Sequence, residues 1–374
     1  MARSNYLLLF TFLAFACSNP KSDEVNVSNE PFELAEKVIS FELPEGWGHF
    51  NLGMKNQGNH VYFYNYSLSS LVAFDKASHQ MSFLIHIDKE GPNGISGQVS
   101  DYLIDAEDNI WLSSSNRHLY KVDREGKIIE DITFDSSSFV EENFDFISYN
   151  FQIIDGKYYT AAFPMVFQYN SLSIDELSAI PNLVSYDLEN HEIEKLSFYD
   201  KTYLGSNLNK FIMPFINKGK NNEIIINHNY KDIYVYKNNE VNKLAASFSK
   251  FSPEPPVSDR DIFEDMDEIM RLINYTDSYE SIHFLPQQNT YVRVAKFEDE
   301  VEGGDAMRQY VPSRWAFIFL DEQFAKTGEL ILPENEANGN YVFDSEEGIW
   351  FSVDHPDNPG LDEEKLQFRL LKAK

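Results

Sequence analysis

One cysteine, Cys17, stands in a chain of 374 residues. No intrachain disulfide can form, and a structural zinc site built from several thiolates is excluded. Basic residues are also scarce, with 31 Lys and Arg against 60 Asp and Glu and a net charge of −29. Such a field repels phosphate backbones and anionic lipid, so nucleic acid is excluded as a partner and any membrane contact is left to an anchor. The familiar catalytic signatures are missing as well: no GxSxG, no HExxH, no Walker loop and no GxGxxG. No metal or cofactor is implied. No apolar run is long enough to cross a bilayer, since the longest, Tyr6–Ala16, is interrupted by Thr11.

That short run is informative for another reason. Arg3, the apolar stretch and the Ala16-Cys17 junction have the layout of an export signal over residues 1–16. A small residue before cysteine resembles a lipoprotein processing site, at which Cys17 becomes the acylated N-terminus. Ala14 stands where such sites usually carry Leu, and a plain secretory peptide is the alternative. Residues 17–35, polar and rich in Ser and Asn, read as a flexible tether. Residues 36–374 then form one domain.

What the chain has in abundance is aromatic, with 21 Tyr and 30 Phe. Aromatic and β-branched residues suit half-buried pleated surfaces. A strand–turn–strand pattern recurs six times, with second strands starting near residues 60, 110, 158, 223, 290 and 349. Polar turns such as Asn56-Gln57-Gly58-Asn59 and Ser345-Glu346-Glu347-Gly348 lead into HVYFY and IWFSV. A third strand follows each pair, and four of the six end on an aromatic or Val followed by Asp, or a close variant. Five units have a fourth strand, but the last is cut off by the chain end at Lys374. Residues 36–43 match the missing strand and precede the first unit. The fold class expected is therefore all-β: a six-bladed propeller of four-stranded antiparallel blades, closed by the N-terminal strand. A sandwich, the alternative, gives no reason for a last unit short by one strand whose match lies at the other terminus.

In such meanders the strand 1–2 turns lie on one face and the strand 2–3 loops and inter-blade links on the other. All six 1–2 turns are short. The long segments, 88–100, 135–149, 163–182, 199–210, 247–280, 299–313 and 354–364, fall on the opposite face. Long loops on a rigid scaffold are where binding usually resides. Segment 247–280 holds a helix pattern capped by Ser258, with an apolar stripe from Ile262 to Ile273, either a lid or a helix packed on a blade. The few basic and aromatic groups on this face are Arg117, Tyr169, Arg260, Arg271, Tyr275, Arg308, Tyr310 and Arg314. An Arg there can fork onto a carboxylate or sugar hydroxyl while Tyr offers a stacking face, or it can pair with neighbouring acids. His355 joins these candidates from the loop DHPDNPGLDEE, whose carboxylates lack Ca²⁺-loop spacing and read as solvated.

The start ending at Cys17, HVYFYNYSLSSLVAFD, IHIDKEGPNGI (Ile85–Ile95) and DAEDNIWL carry a resemblance. The mature chain resembles a Bacteroidota family of six-bladed, propeller-like lipoproteins of unknown function. The resemblance implies the fold and a surface location, and it implies no reaction or catalytic residues. The function expected is a tethered module binding a small molecule, glycan or protein partner on the long-loop face. The alternative is a propeller enzyme, a lyase or hydrolase, at the channel mouth.

Overall fold

The computed structural model describes residues 30–49, 52–105, 107–134, 144–146, 149–164, 173–201, 214–229, 232–248, 277–297 and 314–374. Their strands form six antiparallel sheets arranged as a six-bladed propeller, five of them built from chain-consecutive strands and the sixth from both ends of the chain. Blade 1 comprises Leu52–Gln57, His60–Asn65, Ser70–Asp75 and Met81–His86. Blade 2 comprises Val99–Ile104, Ile110–Ser114, His118–Val122 and Ile128–Thr133. In blade 3 the innermost position is shared by two short strands, Phe144–Phe146 and Gln152–Ile154, both paired with Lys157–Pro164. Pro181–Asp187 and Ile193–Phe198 complete it, and a five-residue helix, Ile174–Ser178, with a Ser173–Glu176 capping box sits in its 2–3 connection. Blade 4 is Phe215–Lys218, Ile224–Asn227, Asp232–Lys237 and Glu240–Ala245. Blade 5 is Ser278–Leu285, Thr290–Phe297, Arg314–Leu320 and Lys326–Ile331.

Blade 6 is built from Asn338–Ser345, Gly348–Ser352 and Lys365–Ala373, and its outer strand is Phe32–Glu42 from the other end of the chain. The register runs from Phe32 opposite Ala373 to Glu42 opposite Lys365, with an irregularity between Leu34 and Val38. The expected closure is present. The strand also begins earlier than the sequence suggests: Phe32, 5 % exposed and 4.8 Å from Phe319 between ring centroids, belongs to the sheet, not to a tether. The reading of residues 32–35 as polar linker overlooked that a single buried Phe can pin a strand end.

The six units look alike because each obeys the same two physical demands. Second and third strands are covered on both faces. In His60–Asn65, Val61 and Phe63 pack towards blade 6, and Tyr62 and Tyr64 pack towards blade 2. Continuous apolar runs follow, without the alternation of a one-sided sheet. Each of the six apolar clusters joins two neighbouring blades, so the core is a ring of wedges. At the closure, Phe41 lies 5.0–6.5 Å from the rings of Phe63, Phe74, Phe343 and Phe368.

The second demand is a tight 3–4 turn. Asp75, Asp123, Asp187 and Asp321 end the third strands, and each carboxylate accepts two backbone N–H bonds from its own turn. This explains the recurring aromatic-Asp signature. Blade 4 has Lys237 there and turns instead through Asn238 and Asn239, both with positive φ (52° and 64°), a conformation Asn tolerates.

Polar ties also run between blades. Asp344, fully buried, accepts from Asn56 Nδ2 (3.1 Å) and from the backbone N–H groups of Gln287 (2.5 Å) and Gln288 (3.3 Å), with Lys76 Nζ 3.7 Å away. It joins blades 1, 5 and 6. Arg293, also fully buried, donates to Asn227 Oδ1 (2.9 Å) and to the carbonyls of Ala246 (2.8 Å) and His228 (3.0 Å), with its guanidinium 3.8 Å from the Tyr279 ring centre. It ties blade 5 to blade 4.

Candidate functional site: the axial cavity

The first strands of the blades surround a cavity of about 1240 Å³. In blade 1 the whole strand Leu52–Gln57 lines it, so the space runs the height of the ring from the long-loop end to the short-turn end. These strands differ from their neighbours in composition. Leu52–Gln57 is partly exposed along most of its length, whereas His60–Asn65 and Ser70–Asp75 are almost wholly buried.

Its best-defined polar centre is Lys55. The ammonium lies 3.2 Å from Asp101 on the neighbouring blade and 5.7 Å from the Tyr102 ring centre. Asp101 is 5 % exposed and also accepts the Asn150 backbone N–H at 2.6 Å and a hydrogen bond from the Tyr66 hydroxyl. Three blades are thus tied to one carboxylate. Burial, then the Asp101 charge, holds the Tyr66 hydroxyl well above the ordinary phenol range, so it stays protonated as a donor. Gly53 makes room for it, since a Cβ there would lie 2.7 Å from Tyr66 Oη. Tyr341 donates to the Leu52 carbonyl (3.0 Å), and burial raises its hydroxyl too.

Across the cavity, Ser281 Oγ and His283 Nε2 lie 2.8 Å apart on one strand. Burial and the Lys55 charge push the His283 pKa down to about 4, so the imidazole is neutral at physiological pH. Among the described residues no carboxylate hydrogen-bonds its other ring nitrogen, and the pair lacks the orienting group that nucleophile activation uses. Among those residues, too, no group of three or more His, Cys, Asp or Glu is placed to hold a metal ion.

The described sequence-predicted candidates, Arg117, Arg314 and His355, lie elsewhere. Arg117, at the blade 2 turn with φ of 63°, donates from Nη2 to Asp145 Oδ2 (2.8 Å) and covers Phe146 (5.5 Å). Arg314 stacks its guanidinium 4.9 Å from the Phe297 ring centre. His355 is 2 % exposed and its Nδ1 accepts the Asp357 N–H at 3.0 Å, which folds its own loop. These three sit on blades 2, 5 and 6, and none lines the axial cavity. The structure does not bring them together. Tyr169, Arg260, Arg271, Tyr275, Arg308, Tyr310, Cys17 and the Ser258 helix pattern lie outside the described residues. Of the residues missed by the sequence reading, Lys55, Asp101 and His283 left a signal, and Tyr66, just past a second strand, left none. Polar side chains interrupt the first strand of each unit (GMKNQ, SDYLI, SIHFL) where second and third strands stay apolar.

Comparison with known proteins places this architecture. The family model described as "Domain of unknown function (DUF4221)" matches residues 25–331. The chain belongs to the DUF4221 family. The match covers blades 1–5 and the N-terminal strand, and stops before the other strands of blade 6. A DUF4221 family member from Bacteroides vulgatus superposes with a TM-score of 0.74 at 19 % identity, over 92 % of this chain and 99 % of that one. A Bacteroides fragilis protein, assigned to export by its name alone, superposes with a TM-score of 0.56 at 11 % identity, over 93 % and 96 %. At these identities the likeness concerns the fold. No curated protein matches the chain. Among the described residues no helix is long and apolar enough to cross a membrane.

Proposed function

We propose that this DUF4221 chain is an exported, lipid-anchored binding module that takes a polar ligand in its axial cavity, approached from the long-loop face. The observation that carries this reading is the Lys55–Asp101 pair. Asp101 is fixed by three blades, so Lys55 is held in place without closing off its other two N–H donors, and it stands in a cavity large enough for a ligand. Such preorganised donors in a walled space fit recognition better than structural support.

Chain polarity supports the direction of approach. Phe32 pairs with Ala373 at the short-turn end of blade 6, and Lys37 pairs with Glu347 of the blade 6 turn. An anchor on Cys17 would therefore tether the ring from its short-turn side and leave the long loops pointing away from the membrane. With about 14 tether residues the root-mean-square reach is roughly 20 Å.

Two experiments test this. Thermal unfolding of the full-length chain against a library of small polar metabolites and oligosaccharides should give hits that raise the midpoint of the wild type and not of Lys55→Met. Hits equal in both would move binding off the axis. Palmitate labelling in intact cells should be lost in Cys17→Ala, with release of the protein; retained label would remove the anchor from the reading.

A further inference from the structure

The chemistry of the cavity wall narrows the ligand class. Two of the charged pairs at the cavity are closed within the protein, and a third carboxylate has its acceptors taken by neutral donors. Lys55 meets Asp101 at 3.2 Å, and Glu280 meets Lys296 at 3.5 Å. Asp105 accepts from Asn109 Nδ2 (2.8 Å) and Trp111 Nε1 (3.0 Å). The charged groups of the short-turn rim carry both signs, Lys121, Lys218 and Lys220 against Asp105, Glu107, Glu130 and Asp155, so the rim itself is not of one sign.

What the wall still offers is neutral. The side-chain amides of Asn150, Gln152, Asn217 and Asn340 line the cavity and make no hydrogen bond to the described residues. Gln152 is only 9 % exposed as a residue, and its amide opens onto the cavity. Each amide offers an N–H donor pair beside a carbonyl acceptor, the complement of a hydroxyl that donates and accepts. Aromatic side chains share the wall. Tyr149 and Phe215 stand 6.3 Å apart between ring centres, and Tyr66 and Tyr341 lie on other blades. Their faces suit the apolar C–H side of a ring that is polar at its edge. The volume exceeds the roughly 300–1000 Å³ of a drug-sized pocket, so an extended ligand fits better than a single ring.

Resting on the axial-cavity reading above, we infer that the ligand is an uncharged oligosaccharide, held by unpaired carboxamides and aromatic faces around the axis. Lys55 contributes a hydrogen-bond donor to a hydroxyl and is not an anion receptor.

The test is calorimetric titration of the full-length chain with maltohexaose, cellohexaose and xylohexaose, and in parallel with hexagalacturonate and the glucosamine hexamer. Gln152→Glu and Asn217→Asp keep side-chain shape and remove the amide donors. Expected is binding of at least one neutral hexaose, weakened tenfold or more in both variants, with unchanged thermal midpoints. Binding of a charged hexamer alone, abolished in Lys55→Met, would overturn the neutral class and keep the axial site. So would failure of all five glycans where Lys55-dependent hits emerge from the metabolite library. Neutral binding indifferent to all three substitutions would overturn both readings.

Discussion

Two interior cations, Arg293 and Lys55, show how the same ring uses charge for two purposes. Arg293 is fully buried, and its donors end on Asn227 and on backbone carbonyls between blades 4 and 5. Its guanidinium lies against Tyr279, and the planar fork fits fixed acceptors that a flexible ammonium would not reach together. Lys55 has one fixed carboxylate partner and otherwise faces the cavity. The difference teaches that a polar group whose partners are all supplied by the fold is a tie, while one placed by the fold but completed by cavity contents is poised for a ligand.

The largest effect expected is on the tie. Arg293→Met should cost about 4 kcal/mol of unfolding free energy, because it strands several buried acceptors at once, and chemical denaturation would measure it. Arg293→Lys should recover less than half of that loss. If Arg293→Met proved nearly silent, the contrast between the two cations would collapse.

Lys55→Met should cost only about 1–2 kcal/mol, since Asp101 keeps the Asn150 N–H and the Tyr66 hydroxyl, and should instead remove ligand-induced stabilisation. A loss as large as that of Arg293→Met would reassign Lys55 to structure.

Asp354 offers a third kind of interior charge. Burial pushes its pKa up to about 7, despite bonds from Ser352 Oγ (2.9 Å) and the Gln367 N–H (3.0 Å). Its unfolded carboxyl ionises near 4. Between about pH 4 and 7 the folded state therefore holds the extra proton, and this group's contribution to stability falls as pH rises, by at most about 1.4 kcal/mol per pH unit. His228 acts oppositely: burial pushes its pKa down to about 3, so its contribution is whole above about 6.5 and lost as pH falls. The clean measurement is the difference between Asp354→Asn and wild type across this range. The variant should match wild type near pH 4 and become relatively more stable towards pH 7; a flat difference would refute the assignment. The smallest effect belongs to the turns: Asp321→Ala should cost about 1 kcal/mol through its two lost N–H acceptors, seen as a modest shift in the denaturation midpoint.

Legibility followed sequence distance. Hairpins such as Asn56–Asn59 and the Asp321 turn are local, so their residues announce them. The closure was readable despite joining the two ends, because a unit lacking one strand and a spare strand upstream explain each other. Phe32 escaped notice because its partner, Phe319, lies in blade 5 and nothing beside it in the chain marks it as buried. The axial set escaped for the same reason on a larger scale. Asp101 acquires its role from Lys55, Tyr66 and Asn150, which are distant in the chain and meet only when the ring closes.

The chain's own pattern of apolar runs, polar turns and displaced strand determined the repeat, its number and its circular closure, because each is encoded within a unit or by its absence. Only the tertiary structure decided which polar residues face the axis and which buried cations are fully bonded. Those outcomes depend on first strands from six separate units converging, and no local stretch of sequence carries that convergence.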